Sequence, residues 1–196
     1  LVGGVASVHF EYHSTPMITS MSPSMGSNSG GTSIDIRGYN FINSGDLSCL
    51  FGSEVIDARW ISSTHVRCIS PPSSEDKVEV SLSLNGVDYF ESTSKFQYLT
   101  ASSLDSMSPN HGPFSGGYMV SLFGTNFLFS STLVCRFGFT DVSARFVSST
   151  EVQCMVPKLH VGSVKVSVSS NGVDFGTHSL TFESEDVMNV KSISPS

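Results

Sequence analysis

Positive charge is scarce in this 196-residue chain: Lys and Arg total 10 against 17 Asp and Glu, for a net charge of −7. Nucleic-acid binders draw much of their affinity from clustered basic residues on phosphates. The basic residues here stand singly, so no nucleic acid is expected as a partner. Long apolar runs are missing as well. No stretch approaches the roughly 18–20 residues of a membrane-spanning helix, and no secretory leader is visible. No membrane insertion by this segment is expected. Helical periodicity is absent from every window of a dozen residues, which removes the Gly-x-Gly-x-x-Gly type of phosphate loop that must open a helix. There is no Gly-x-Ser-x-Gly either; Gly26-Ser27-Asn28-Ser29-Gly30 carries its serines in the wrong places for a nucleophile and reads as a turn. Zinc is disfavoured because no Cys-x-x-Cys pair or nearby histidine doublet completes a tetrahedral set. The six histidines, His9, His13, His65, His111, His160 and His178, stand apart and read as solvated loop residues. No catalytic residue, no cofactor site and no metal site is expected, and the chain reads as a non-enzyme. Asn-x-Ser/Thr is also absent, so no N-linked glycan is expected. O-linked sugar on the serine-rich loops stays open, and so does contact with a glycan partner, which no residue pattern supports.

What the chain does have is itself, twice. Residues 20–105 align without a gap on residues 106–191, a shift of 86, and about 33 of the 86 pairs are identical. Pro23 falls on Pro109, Gly30-Gly31 on Gly116-Gly117, Cys49 on Cys135, and Cys68 on Cys154. Asn85-Gly86-Val87-Asp88 falls on Asn171-Gly172-Val173-Asp174, and Phe96 on Phe182. The ends continue the register: Phe10 and Tyr12 lie 86 before Phe96 and Tyr98, and Ser194-Pro195 lies 86 after Ser108-Pro109. The expected division is residues 1–15 as the strand tail of a preceding repeat, 16–100 and 101–186 as two complete domains, and 187–196 as the start of a following repeat. The chain thus reads as a piece of a longer array. Serine makes up about one residue in five while charged residues are only 14%. Disorder pairs low hydrophobicity with high charge, so the repeats are expected to fold.

Four cysteines allow three pairings. Duplication favours Cys49–Cys68 and Cys135–Cys154, since a copied unit must satisfy itself, and each such bond would be worth roughly 3 kcal/mol in the chain-entropy model. Stable bridges imply an oxidising compartment; the competing reading is four small buried thiols in a cytosolic protein.

Alternation with period two runs through both copies. Ile34 and Ile36, Leu47/Cys49/Phe51, Ala58 and Trp60, Val66 and Cys68, and Val78/Val80/Leu82/Leu84 each share one phase. Val120/Leu122, Leu133/Cys135/Phe137, Ala144/Phe146, Val152/Cys154 and Val164/Val166/Val168 repeat it. One apolar and one wet face is the pattern of antiparallel sheets packed on one side. Asn85-Gly86 and Asn171-Gly172 predict type I′ hairpins between the last two strands of each copy. The recurrence of Asp88 and Asp174 suggests calcium, but Asn-Gly-Val-Asp lacks closely spaced oxygen ligands, and capping of the hairpin is the simpler reading. About seven short strands per copy predict an all-β, two-sheet sandwich. Whether the cystine lies within or between sheets is not decided by spacing. Tyr98 and Ser106 are too close for a floppy tether, so the domains are expected to abut.

The ordered series is Ser-Pro, Gly-Gly, Gly-x-Asn-Phe (residues 38–41 and 124–127), Cys-x-Phe-Gly (49–52 and 135–138), Thr-x-Val-x-Cys (64–68 and 150–154), Pro71 or Pro157, and Asn-Gly-Val-Asp before a closing Phe. Over essentially the whole chain this resembles the IPT/TIG family of immunoglobulin-like domains. The resemblance implies tandem early-type immunoglobulin β-sandwiches in an end-to-end array, with a cysteine pair of the kind found in extracellular members. Such domains occur in plexin- and Met-like receptor ectodomains, protist adhesins, Rel-like transcription factors and secreted enzymes. A fold shared so widely does not name a function. The acidic balance, paired cysteines and tandem copies resemble the transcription-factor branch least.

The copies disagree most usefully where Asn28, Arg37, Asn43 and Ser53 become Phe114, Phe123, Phe129 and Phe139. Positions that accept Asn, Arg and Ser are expected on the surface, and exposed aromatics anchor interfaces. These four phenylalanines are the candidate interface, with Phe114 and Phe139 placed toward one end of the second domain and Phe123 and Phe129 toward the other; local repacking is the competing account. The leading functional expectation is an extracellular or cell-surface binding and adhesion module whose partners are other protein domains, including neighbouring repeats and further copies of itself. The alternatives are a structural repeat of an extracellular filament or coat, and spacer domains of a secreted enzyme.

Overall fold

A computed structural model describes residues 14–176 and 178–186. The expected tail of a preceding repeat, up to residue 13, and the expected start of a following one, 187–196, lie outside the described residues. In the first copy the strands are β1 (Met17–Ser22), β2 (Met25–Ser27), β3 (Ser33–Tyr39), β4 (Ser48–Phe51), β5 (Glu54–Asp57) and β6 (Arg59–Ser62). They continue with β7 (His65–Ile69), β8 (Lys77–Val78), β9 (Val80–Ser83), β10 (Tyr89–Glu91) and β11 (Phe96–Leu99). The second copy holds β12 (Ser103–Ser108), β13 (His111–Pro113), β14 (Met119–Thr125) and β15 (Val134–Phe137). It ends with β16 (Thr140–Ser148), β17 (Glu151–Met155), β18 (Gly162–Ser169) and β19 (Leu180–Glu185). Among the described residues there is no helix.

Each copy closes as two sheets over a core of its own. In the first, β1-β3-β7-β6 faces β10-β9-β4-β5, with β2-β11-β8 alongside. Ile34, Ile36 and Val66 on one side meet Phe51, Val80 and Leu82 on the other, all buried. The strand phases match the alternation in the sequence, because residues two apart in a strand point the same way. The second copy buries Val120, Leu122, Val152, Phe137, Val166 and Phe182 in the same fashion. The chain is therefore a tandem of immunoglobulin-like sandwiches.

The cysteine bonds answer a question that spacing left open. Cys49 is bonded to Cys68 and Cys135 to Cys154. Cys49 lies on β4 and Cys68 on β7, strands of opposite sheets, so the bridge crosses the sandwich. All four sulfur-bearing side chains are buried among core residues.

The copies share irregularities as well as strands. The ladder of β1 with β3 slips between Ile18 and Ser20, and that of β12 with β14 slips between Leu104 and Ser106, 86 positions on. Gly38 sits there under the opposing strand: a Cβ on it would lie 2.0 Å from the Met17 carbonyl oxygen and 2.6 Å from the Phe41 ring. No other residue fits without moving backbone. The next motif residue, Asn40, takes a left-handed φ of 62°, as does Asn126 at 59°, a conformation asparagine accepts more readily than most residues. Its amide donates to the Thr15 carbonyl, and that of Asn126 donates to the Ala101 carbonyl. Each domain thus grips the chain that enters it. The Ser22–Pro23 and Ser108–Pro109 peptide bonds are both cis.

Two expectations need correcting. Asn85 and Asn171 do not take positive φ, and only Gly86 and Gly172 do, so neither turn is type I′. The Asn85 side chain instead caps its own turn, its Oδ1 accepting from Val87 N–H at 3.0 Å and Asp88 N–H at 2.8 Å. Side-chain capping replaces the second positive φ. Nor does the Asn85 turn lead into the last strand: it joins β9 to the short β10, and β11 pairs elsewhere, with β2 and β8. The sandwiches also differ in continuity. β5 and β6 are separate strands, whereas β16 runs unbroken through both sheets, pairing with β15 by its first half and β17 by its second.

Candidate interaction surfaces and the interdomain joint

Only residues 100–102 separate β11 from β12. The Leu99 carbonyl accepts from Asn28 N–H at 2.8 Å on the first domain, and the Ala101 carbonyl accepts from Asn126 on the second. So short a connection, held at both ends, brings the 171–174 turn of the second domain against the β2 end of the first. Asn171 Oδ1 caps the turn by accepting from Val173 and Asp174 N–H, as in the first copy. Its amide then reaches outward. Asn171 Nδ2 donates to the Met25 carbonyl at 2.9 Å and to Asp174 Oδ2 at 2.8 Å.

A second bond crosses beside it. The Thr32 hydroxyl donates to Asp174 Oδ2 at 2.5 Å. Thr32 is completely buried, and its Oγ1 also accepts from Ser27 N–H at 3.3 Å. Asn171 is 5% exposed. A buried amide and a buried hydroxyl that lose water must find partners, and here they find them in the neighbouring domain. A cleft of about 220 Å³ follows this seam, bounded by Gly26, Ser27, Leu99, Asn171, Asp174 and Phe175. The Arg136 guanidinium stacks 3.6 Å from the centroid of the Phe175 ring and forms a two-bond pair with Asp141.

The four phenylalanines lie as follows. Phe139 is fully exposed beside the β15–β16 turn, and Phe129 is 77% exposed with its ring T-shaped to that of Phe146. Phe123, on β14, is 37% exposed. Phe114 is half-buried, its N–H bonded to the Glu185 carbonyl and its carbonyl to Leu159 N–H. Among the described residues, the hydrogen bonds that cross between domains come from Asn171 and Thr32, not from Phe123 on β14 or from Phe129 in the loop after it. Sequence reasoning recognised the Asn-Gly-Val-Asp turn but assigned it only to its own hairpin. Its polar ends, recurring in both copies, were the available signal.

The histidine reading also needs a correction. His65 is not a solvated loop residue but a buried member of β7, 2.9 Å from Asp35 Oδ1. Arg67 Nε donates to the same oxygen at 2.7 Å. That bond holds the Asp35 carboxyl below its ordinary pKa, against an opposite push from burial and with further help from His65. His111, His160 and His178 are exposed, and His9 and His13 lie outside the described residues. Among the described residues no group of three or more His, Cys, Asp or Glu could hold a metal ion. No helix among them is long and apolar enough to cross a membrane.

Two sandwiches, each with a buried cystine joining its sheets, define a tandem immunoglobulin-like module. The family model for the IPT/TIG domain matches residues 16–98 and 102–184, and the chain belongs to the IPT/TIG family. It is 27% identical over 156 residues to Plexin-A4 of Danio rerio, a match covering 76% of this chain and 8% of that protein. It is 29% identical over 184 residues to Fibrocystin of Mus musculus, covering 86% of this chain and 4% of that one. The chain therefore spans less than a tenth of either relative. Among solved structures, the full extracellular region of plexin A4 superposes with a TM-score of 0.57 at 23% identity, covering 88% of this chain and 16% of that one.

Proposed function

We propose that this chain is a non-enzymatic extracellular binding and adhesion module, part of a longer rod of IPT/TIG repeats that presents a protein-interaction surface. The reading is carried by Phe139 and Phe129, large apolar rings left in water on the second domain where the first has Ser53 and Asn43. Exposed aromatics of this kind anchor contacts between proteins. Two buried cystines support an oxidising, extracellular setting, and so does the similarity to plexins. The test is replacement of both rings by serine, since neither fills a core. Self-association by sedimentation and binding of the multimerised chain to cell surfaces should both fall. Unchanged values in both assays would remove the surface from consideration.

A second reading, a structural repeat of an extracellular filament or coat, is favoured by the end-to-end hydrogen bonds of Asn171 and Thr32. Negative-stain images of the native material separate the two, with isolated rods for the first and regular fibres for the second.

A further inference from the structure

The cleft at the joint has a twin. A cleft of about 410 Å³ on the first domain is bounded by residues 14–16, Leu84, Asn85 and Asp88. Residues 100–102, Ser170, Asn171 and Asp174, which line the seam between the two domains, lie 86 positions after them. The seam has one more wall, built of Gly26, Ser27, Ser29 and Leu99 from the preceding domain. The twin has no wall from another domain among the described residues; Ile42, Ser44 and Asp46 of its own domain line it instead, and their equivalents do not line the seam.

The turn over this second cleft is already shaped as its partner is in the joint. Asn85 Nδ2 donates to Asp88 Oδ2 at 2.8 Å, matching the 2.8 Å bond from Asn171 to Asp174. Asn85 Oδ1 accepts from the Val87 and Asp88 N–H groups, the equivalents of the Val173 and Asp174 donors to Asn171 Oδ1. The difference is cover. Asn171 is buried and reaches the Met25 carbonyl, whereas Asn85 and Asp88 are both exposed and meet no equivalent of Met25 or Thr32 among the described residues.

We propose that the cleft over the 85–88 turn is the receiving half of a second joint, and that its occupant is the distal end of another IPT/TIG domain preceding this one in the chain. That end would offer a strand carbonyl to Asn85 Nδ2 and a hydroxyl to Asp88 Oδ2, as Met25 and Thr32 do for Asn171 and Asp174. Preorganisation lowers what docking costs, since the turn need not reorder. In the sequence, Phe10 and Tyr12 lie 86 before Phe96 and Tyr98, just ahead of the cleft-lining residues 14–16, and keep the register of a preceding repeat. A second copy of this chain, approaching with its own second domain, is a poor occupant. Tyr118 stands there in place of Thr32, and its phenol donates to the Pro113 carbonyl at 3.2 Å. The hydroxyl that the joint requires is replaced by one bonded within its own domain. This inference rests on the reading of the chain as part of an array.

The probe is the first domain itself, whose distal end makes the observed joint. Residues 16–101 are fused ahead of residue 16 of the chain, which keeps the 86-residue register. Spin labels on non-canonical residues then report distances across the added joint and across the original one. The expected result is two distributions of similar width. Asn85→Asp keeps the oxygen that caps the turn and removes the outward donor, and with Asp88→Ala it should broaden the added joint at least about twofold while sparing the other. Thermal unfolding of the variant checks that the domain still folds. A broad distribution before mutation, or a narrow one that the substitutions leave unchanged, overturns the inference. Serine replacement of Phe129 and Phe139 reads the array's surface separately, so failure of the two claims can be told apart. If the unextended chain assembles end to end through this cleft, the commitment to a preceding domain is wrong.

Discussion

The bond from Thr32 to Asp174 links two domains whose cores share no residue. Thr32→Val is nearly isosteric and removes the hydroxyl donor while leaving the buried volume filled. A hydrogen bond to a charged acceptor is worth about 1.5–3 kcal/mol. Asp174 is partly exposed, and water screens what it contributes, so the low end applies, about 1.5 kcal/mol or tenfold in the docking equilibrium. The single substitution carries a second cost, because Ser27 N–H loses the oxygen it donates to. Asp174→Ala likewise releases the Asn171 amide from one of its partners. A double-mutant cycle cancels both side effects and leaves the coupling between the two residues. Total unfolding free energies of the wild type, the two single variants and the double variant supply it, with the cystines intact. A coupling near 1.5 kcal/mol is expected; one below about 0.3 kcal/mol lies within ordinary additivity error and would refute the claim that this bond carries the joint.

Removing Cys49 and Cys68 together, each to Ala, should lower the stability of the first domain by about 3 kcal/mol. The corresponding change at Cys135 and Cys154 should act alike on the second, and urea titrations of both pairs combined should show simple addition because the cores are separate. Asp35 offers a pH signature. Its folded pKa is depressed by Arg67 and, less strongly, His65, so its contribution is complete above the ordinary carboxylate range and fades as pH falls through the lower folded value. Asp35→Asn should flatten the loss of stability below about pH 4. Identical acid slopes for variant and wild type would mean that the ion pair does nothing.

Much of the fold was legible because its signals are local and were written twice. The inward faces of β3, β7 and β14 follow from alternate apolar residues, and Gly38-Tyr39-Asn40-Phe41 carries a backbone requirement that reappears at Gly124-Thr125-Asn126-Phe127. The type I′ expectation failed for a physical reason. Asparagine can satisfy a turn with its backbone or its side chain, and the dipeptide Asn-Gly does not say which. His65 misled because a lone histidine carries no sign of the aspartate it will meet, here 30 residues away in sequence.

The sequence alone determined that two copies exist, which residues of each strand turn inward, and that each copy holds the means to brace itself, because periodicity and duplication belong to the covalent chain. Tertiary structure decided that the cystines span the two sheets, since sheet membership depends on which strands pair. It also decided that two turns with one sequence have different surroundings. Asn85 lies in water and Asn171 is buried against Met25, because what a side chain touches outside its own turn depends on the body set opposite it.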